Sequence, residues 1–163
     1  LTHVDTLTDI HRACRFFYLQ QLCFGGKVSG QTFGTATTGS PPNLLRIEET
    51  LSAAHLRLSK VTVECLPWAK CITRYDRPHT LFFCDPPYWA VEGYGVEFGL
   101  EQYEQLAEIL AALQGKFVLT LNDHPKMRTI FAHFPFTTIE TTYTIGLHGK
   151  DKKRQELLIY SRK

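Results

Sequence analysis

Apolar residues near the start of the chain recur at helical intervals. Ile10, Ala13, Cys14 and Phe17 share one face with Gln21, and Thr6-x-x-Asp9 before them has the form of a capping box. The spacing predicts a helix over residues 7–22, stopped by Gly25-Gly26. The stretch from Phe24 to Ser40 is rich in Gly, Thr and Ser and runs into Pro41-Pro42, which predicts a long glycine-punctuated loop or irregular hairpin. Asn43 is suited to cap a second helix, with Leu44, Ile47, Leu51, Ala54 and Leu58 on one face. After Lys60 the pattern changes. Val61–Cys65 alternates as a short strand would, and a helix is expected around Trp68–Tyr75. Leu81-Phe-Phe-Cys84 is a fully apolar run halted by Asp85-Pro86-Pro87, the form of a buried strand. Residues 100–114 read as a strong helix whose face carries Tyr103, Leu106, Ala107, Leu110 and Leu113, ended by Gly115. Phe117–Leu121 is a strand, Pro125 opens a short helix reaching about His133, and Thr137–Ile145 and Glu156–Ser161 are strands on either side of the basic run Lys150-Asp-Lys-Lys-Arg154. The order strand, helix, strand, helix, strand, strand predicts an α/β sheet closed by an antiparallel pair.

Composition narrows the classes. The 163 residues, 44% hydrophobic and 21% charged, suffice for one compact domain and argue against wholesale disorder. Eighteen Lys and Arg against sixteen Asp and Glu leave a charge of +2, too small to demand or exclude a nucleic-acid partner, because a local patch can act where the total does not. No apolar run has the length of a membrane helix, and the opening residues do not form a signal peptide. The five cysteines include no C-x-x-C pair, so reduced thiols in a cytoplasmic protein are the simpler reading than a disulfide scaffold. The histidines are scattered, and no metal site is expected.

Asp85-Pro86-Pro87-Tyr88 is the sharpest feature. A tetrapeptide of these types arises by chance in roughly one chain in a thousand of this length, and it stands at the carboxyl end of an apolar strand, where open α/β sheets place their sites. Two prolines stiffen the turn, so the Asp85 carboxylate and the Pro86 carbonyl are held as convergent acceptors. Tyr88 offers a flat face for a planar ring. Acceptors beside a stacking face suit the exocyclic amine of a nucleobase: they localise its lone pair and stabilise the positive charge that grows as it attacks. Reaching such an amine in a duplex requires flipping the base out. The bland alternative is a strand-terminating turn with Tyr88 as packing.

The run FFCDPPYW, the helix LEQYEQLAEIL, the strand and turn FVLTLNDHP and the final strand ELLIYS together resemble the C-terminal half of Dam-like DNA adenine-N6 methyltransferases. The resemblance implies a partial Rossmann-like methyltransferase sheet with an antiparallel C-terminal strand pair, preceded by a helical DNA-recognition segment. It implies S-adenosylmethionine (SAM) as cofactor and double-stranded DNA as partner. By it, Asp85 and Pro86 accept from the adenine N6 amine, Pro87 completes the turn, Tyr88 stacks, and Asp85 also lies beside the cofactor. Glu64–Trp68 falls where the family has a strand end near the cofactor's adenosine, which makes Trp68 a cofactor contact; a plain core aromatic is the alternative. Arg15–Leu19 and Phe24–Lys27 look like the end of the recognition insertion and its hairpin, so Lys27, Ser29 and Gln31 are candidate DNA contacts, as are Lys152, Lys153 and Arg154 in the dense basic cluster. Residues 1–60 are then the recognition segment and 61–163 the C-terminal part of the catalytic domain.

The family's F-x-G-x-G loop and the acidic strand end after it have no counterpart in the sequence. The expectation is therefore a chain truncated of its N-terminal SAM-binding motif, with an exposed sheet edge that engages either the missing region or a second copy. Two other readings stay open at this point: an inactive DNA-binding remnant, and a methyltransferase acting on RNA, cytosine N4 or protein glutamine.

Overall fold

The computed structural model describes residues 4–22, 44–91, 96–143 and 152–162. It divides into two compact units, Leu1–Glu64 and Cys65–Lys163. The first carries helices α1 (Asp9–Leu22) and α2 (Ile47–Leu58), each preceded by a single 3₁₀ turn, Val4–Thr6 and Leu44–Arg46. The side chain that caps α1 is Thr8, whose hydroxyl accepts from the His11 backbone amide at 3.3 Å; the capping box expected from Thr6 is displaced by two residues because the chain first closes the 3₁₀ turn. Neither α1 nor α2 buries a residue. Val61–Cys65, expected as a strand, forms none. Val61 and Val63 are exposed, and alternation alone makes no ladder without a neighbouring strand to bond to.

The second unit holds the core. Its elements are α3 (Trp68–Tyr75), β1 (Leu81–Cys84), α4 (Leu100–Ala111), β2 (Lys116–Asn122), α5 (Pro125–Ile130), β3 (Phe136–Tyr143) and β4 (Lys152–Tyr160). The strands form one sheet in the order β1-β2-β4-β3, with β1 and β2 parallel and both pairings of β4 antiparallel. The last strand thus slots between β2 and β3. Mixed pairing of this kind follows from the chain itself: α4 is the crossover that parallel neighbours require, whereas β3 returns directly into β4.

One face of the sheet makes the core. Phe117, Leu119 and Leu121 of β2 and Leu157 and Ile159 of β4 are buried against Tyr103, Leu106 and Leu110 of α4 and Met127 of α5. Each such side chain contributes about 1.5–3 kcal/mol by leaving water, and the Phe117 and Phe134 rings add an edge-on contact at 5.2 Å. The expectation that β1 is buried throughout is corrected. Phe82 and Cys84 face the core, but Leu81 and Phe83 are 66% and 70% exposed, because the helices of this unit cover one face of the sheet. Among the described residues no strand pairs with the outer edge of β1.

The turn joining α4 to β2 is fixed by a carboxylate. Asp76 accepts from the backbone amides of Gln114 and Gly115 at 3.0 and 2.9 Å. A Cβ at Gly115 would lie 2.6 Å from the Thr80 carbonyl oxygen, so only glycine lets the two backbones approach this closely. This packing sets the start of β2 against β1, and with it the register that carries the site. No helix among the described residues is long and apolar enough to cross a membrane.

Candidate active site

β1 ends at Cys84, opposite Leu119 of β2. Beyond it the chain leaves the ladder at Asp85-Pro86-Pro87-Tyr88, and prolines without amide hydrogens prevent the strand from continuing. The turn that follows is held at three points by side chains that the sequence alone did not assign to the site. Thr120 Oγ1 donates to Asp85 Oδ1 at 2.9 Å. The Tyr103 hydroxyl, from the buried face of α4, donates to the Pro87 carbonyl. Asn122 clamps Trp89 on both sides: its Nδ2 donates to the Trp89 carbonyl at 3.0 Å, and its Oδ1 accepts from the Trp89 amide at 2.9 Å. Immediately after, Ala90 adopts φ 55°, a left-handed conformation that costs a non-glycine residue about 1–2 kcal/mol. The anchored turn absorbs that cost.

The engaged carbonyl is that of Pro87; the Pro86 carbonyl has no hydrogen-bond partner among the described residues. Asp85 is exposed and Pro86 half-buried, so two acceptors, one ionisable and one backbone, are presented together at the carboxyl end of the strand. They open onto a cavity of about 660 Å³ lined by α3, β1, the turn and the segment leading into α4. Trp68, Phe82 and Phe98 give it aromatic walls, while Asp85, Glu97 and Gln102 give it polar ones. The Trp68 indole is oriented by a 3.1 Å hydrogen bond from Nε1 to Gln102 Oε1 and lies 6.1 Å from Phe98, which meets Tyr103 edge-on at 4.7 Å. Trp68 is thus a wall of the same cavity as Asp85, as well as a partner of the core. Cys84 also lines it, and burial pushes its thiol up to about 11, so it stays protonated at neutral pH and serves as an apolar wall.

Size and lining suit a small planar or positively charged ligand. Cavities of roughly 300–1,000 Å³ hold small molecules and cofactors. Aromatic faces attract both a purine and a positive centre, and the carboxylates of Asp85 and Glu97 offset positive charge. Among the described residues no group of three or more His, Cys, Asp or Glu could hold a metal ion.

Of the expected DNA contacts, Lys27, Ser29 and Gln31 lie outside the described residues. Lys152, Lys153 and Arg154 are not in a connecting loop, as the basic run suggested, but in β4, paired with Tyr143, Thr142 and Thr141. A long antiparallel pair tolerates polar residues where one face meets water, so charge did not end the strand. Because β4 runs antiparallel to β2, with Glu156 opposite Asn122, these residues extend from the sheet end that carries Asp85. Lys153 Nζ makes an exposed ion pair with Glu140 at 2.7 Å. Below the turn, Arg128 grips Asp123 through two bonds of 2.6 Å, which hold the Asp123 carboxyl below its usual range. Lys126 rests its ammonium 4.9 Å from the centre of the Trp89 ring.

No curated protein matches the chain. A family model does: that of the D12 class N6 adenine-specific DNA methyltransferases matches residues 2–145, nearly the whole of the chain, including the turn, the cavity walls and the strand that anchors them. The chain belongs to the D12 class of N6 adenine-specific DNA methyltransferases.

Proposed function

We propose that this chain methylates the N6 amine of adenine in double-stranded DNA, with SAM as donor and the target base flipped out of the duplex. The observation that carries the reading is the pair of acceptors, Asp85 and the Pro86 carbonyl, on a stiff turn at the mouth of an aromatic-walled cavity. When bound, SAM supplies an electrophilic methyl group on a sulfonium. Trp68 and Phe98 would hold its rings and positive centre, and Asp85 and Glu97 its polar groups.

The chain's own residues do the rest. The Asp85 carboxylate and the Pro86 carbonyl accept the two amine hydrogens, which turns the nitrogen lone pair away from the ring and toward the cavity. As the amine attacks the methyl carbon, the carbon–sulfur bond would break and the neutral thioether would leave with its electron pair. The fixed Asp85 carboxylate stabilises the positive charge that grows on nitrogen without reorganising, and the surplus N–H proton would pass by way of Asp85 to solvent. Tyr88 stacks on the adenine and replaces the neighbours lost on flipping. Lys152, Lys153 and Arg154 reach phosphates from the same end of the sheet, and Lys27, Ser29 and Gln31 contact the duplex from the recognition segment, residues 1–60, while 61–163 carry the chemistry.

The test is methyl transfer from labelled SAM to pools of duplex DNA, RNA and peptide, followed by digestion to nucleosides and amino acids. N6-methyladenine from DNA alone is the expected product. Label in RNA, cytosine or glutamine, or none in any pool, refutes the reading.

A further inference from the structure

Asp85 lies beyond the last ladder position of β1, and it is exposed. A carboxylate so placed has rotamer freedom, yet the proposed chemistry needs one oxygen aimed at the amine. Thr120 supplies the constraint. It follows Leu119, the partner of Cys84, so the parallel register brings it level with Asp85. Being β-branched and in a strand, it has few side-chain rotamers, so the backbone of β2 largely sets where its hydroxyl points.

That hydroxyl has a single proton and two acceptors in reach, Asp85 Oδ1 at 2.9 Å and the Cys84 carbonyl at 3.4 Å. The shorter bond, to the ionised oxygen, is the stronger. Oδ1 is thus engaged, and Oδ2 is the oxygen with no partner among the described residues. We propose that Thr120 is a positioning residue for methyl transfer: it holds Asp85 Oδ1 so that Oδ2 is presented to the adenine amine. The inference rests on the reading of Asp85 as the amine's acceptor. Thr120 itself touches neither base nor cofactor in this scheme. Acting through the orientation of Asp85 toward the amine, it bears on the turnover step and not on the binding of DNA.

The experiment compares the unsubstituted chain with Thr120→Val, Thr120→Ser, Thr120→Ala and Asp85→Ala in steady-state methyl transfer to duplex DNA, with a thermal melt of each. Val keeps the branched shape and removes the hydroxyl. Its kcat is expected to fall roughly tenfold or more, the worth of one hydrogen bond to a charged group, while KM for DNA stays within about twofold. Ser restores most of kcat. Ala, which adds no methyl group in place of the hydroxyl, behaves as Val does and serves as the second probe should Val lower the melting temperature. Wild-type kcat in both Val and Ala, a loss confined to KM, or a loss that Ser does not restore overturns the proposal. With Asp85→Ala inactive in the same experiment, such a result removes the role of Thr120 alone. Undiminished turnover in Asp85→Ala, or none in the unsubstituted chain, removes the reading of Asp85 and the role of Thr120 with it.

Discussion

Replacing Asn122 by Ala should loosen the segment after the Asp-Pro-Pro-Tyr turn. The wild-type side chain satisfies the Trp89 amide and carbonyl together, at 2.9 and 3.0 Å. Each bond contributes about 0.5–1.5 kcal/mol net. Trp89 is half-buried, so water can partly replace what is lost. The sum is about 2 kcal/mol, or roughly 30-fold in the folding equilibrium constant. Urea unfolding followed by far-ultraviolet circular dichroism measures it as a lower midpoint at unchanged slope. Asn122→Asp separates bond direction from packing. It keeps an acceptor for the Trp89 amide but turns a carboxylate oxygen toward the Trp89 carbonyl, so it should be no more stable than Ala. Turnover should fall in both variants, because Trp89 is covalently next to Tyr88 and the Ala90 conformation depends on the same anchor. An Asn122→Ala protein with the wild-type midpoint, or an Asp variant that matches wild type, would refute the clamp.

Two further outcomes follow from the charges. The Asp123 carboxyl is depressed chiefly by its hydrogen bonds to Arg128, so its contribution to stability is present above the unfolded value of about 3.8 and is lost as pH falls through the lower folded value. Arg128→Met should therefore narrow the stability gap to wild type as the medium is acidified below about pH 4, measured by urea midpoints at several pH values; a gap that does not change with pH contradicts the pairing. Cys84, protonated up to about pH 11, should react with a maleimide far more slowly at pH 7.5 than the exposed Cys14 and Cys65, read by mass spectrometry of digests; equal rates contradict its burial in the cavity wall.

Local periodicity made β2 and α4 legible, because each shows its core-facing residues at a regular spacing: Phe117, Leu119 and Leu121 at every second position, and Tyr103, Leu106 and Leu110 at every third or fourth; α5 was marked instead by Pro125 in its first turn. Pairing was less legible. Val61–Cys65 alternates and yet forms no strand, whereas Lys152–Arg154 is highly charged and does, since strand formation depends on a neighbour rather than on the segment alone. The place of β4 between β2 and β3 is likewise a property of three segments together. At the site, Asp85 through Tyr88 stood out because prolines and a carboxylate at a strand end carry a local signal. Thr120, Asn122 and Tyr103 did not, since they lie 16 to 35 positions from the groups they hold. A signal for two of them existed. On β2 the positions opposite the buried Leu119 and Leu121 face are Thr120 and Asn122, polar residues at the end of a strand parallel to the one that delivers Asp85.

The most direct measurement of the central claim is a paired one on Asp85→Ala and the unsubstituted chain: methyl transfer to adenine N6 in duplex DNA, and affinity for the same duplex. If Asp85 accepts the amine and stabilises its developing charge, transfer is abolished while DNA affinity stays within about twofold, because the contribution belongs to the transition state. Transfer that survives in Asp85→Ala, or a loss of transfer fully accounted for by lost DNA affinity, contradicts the account.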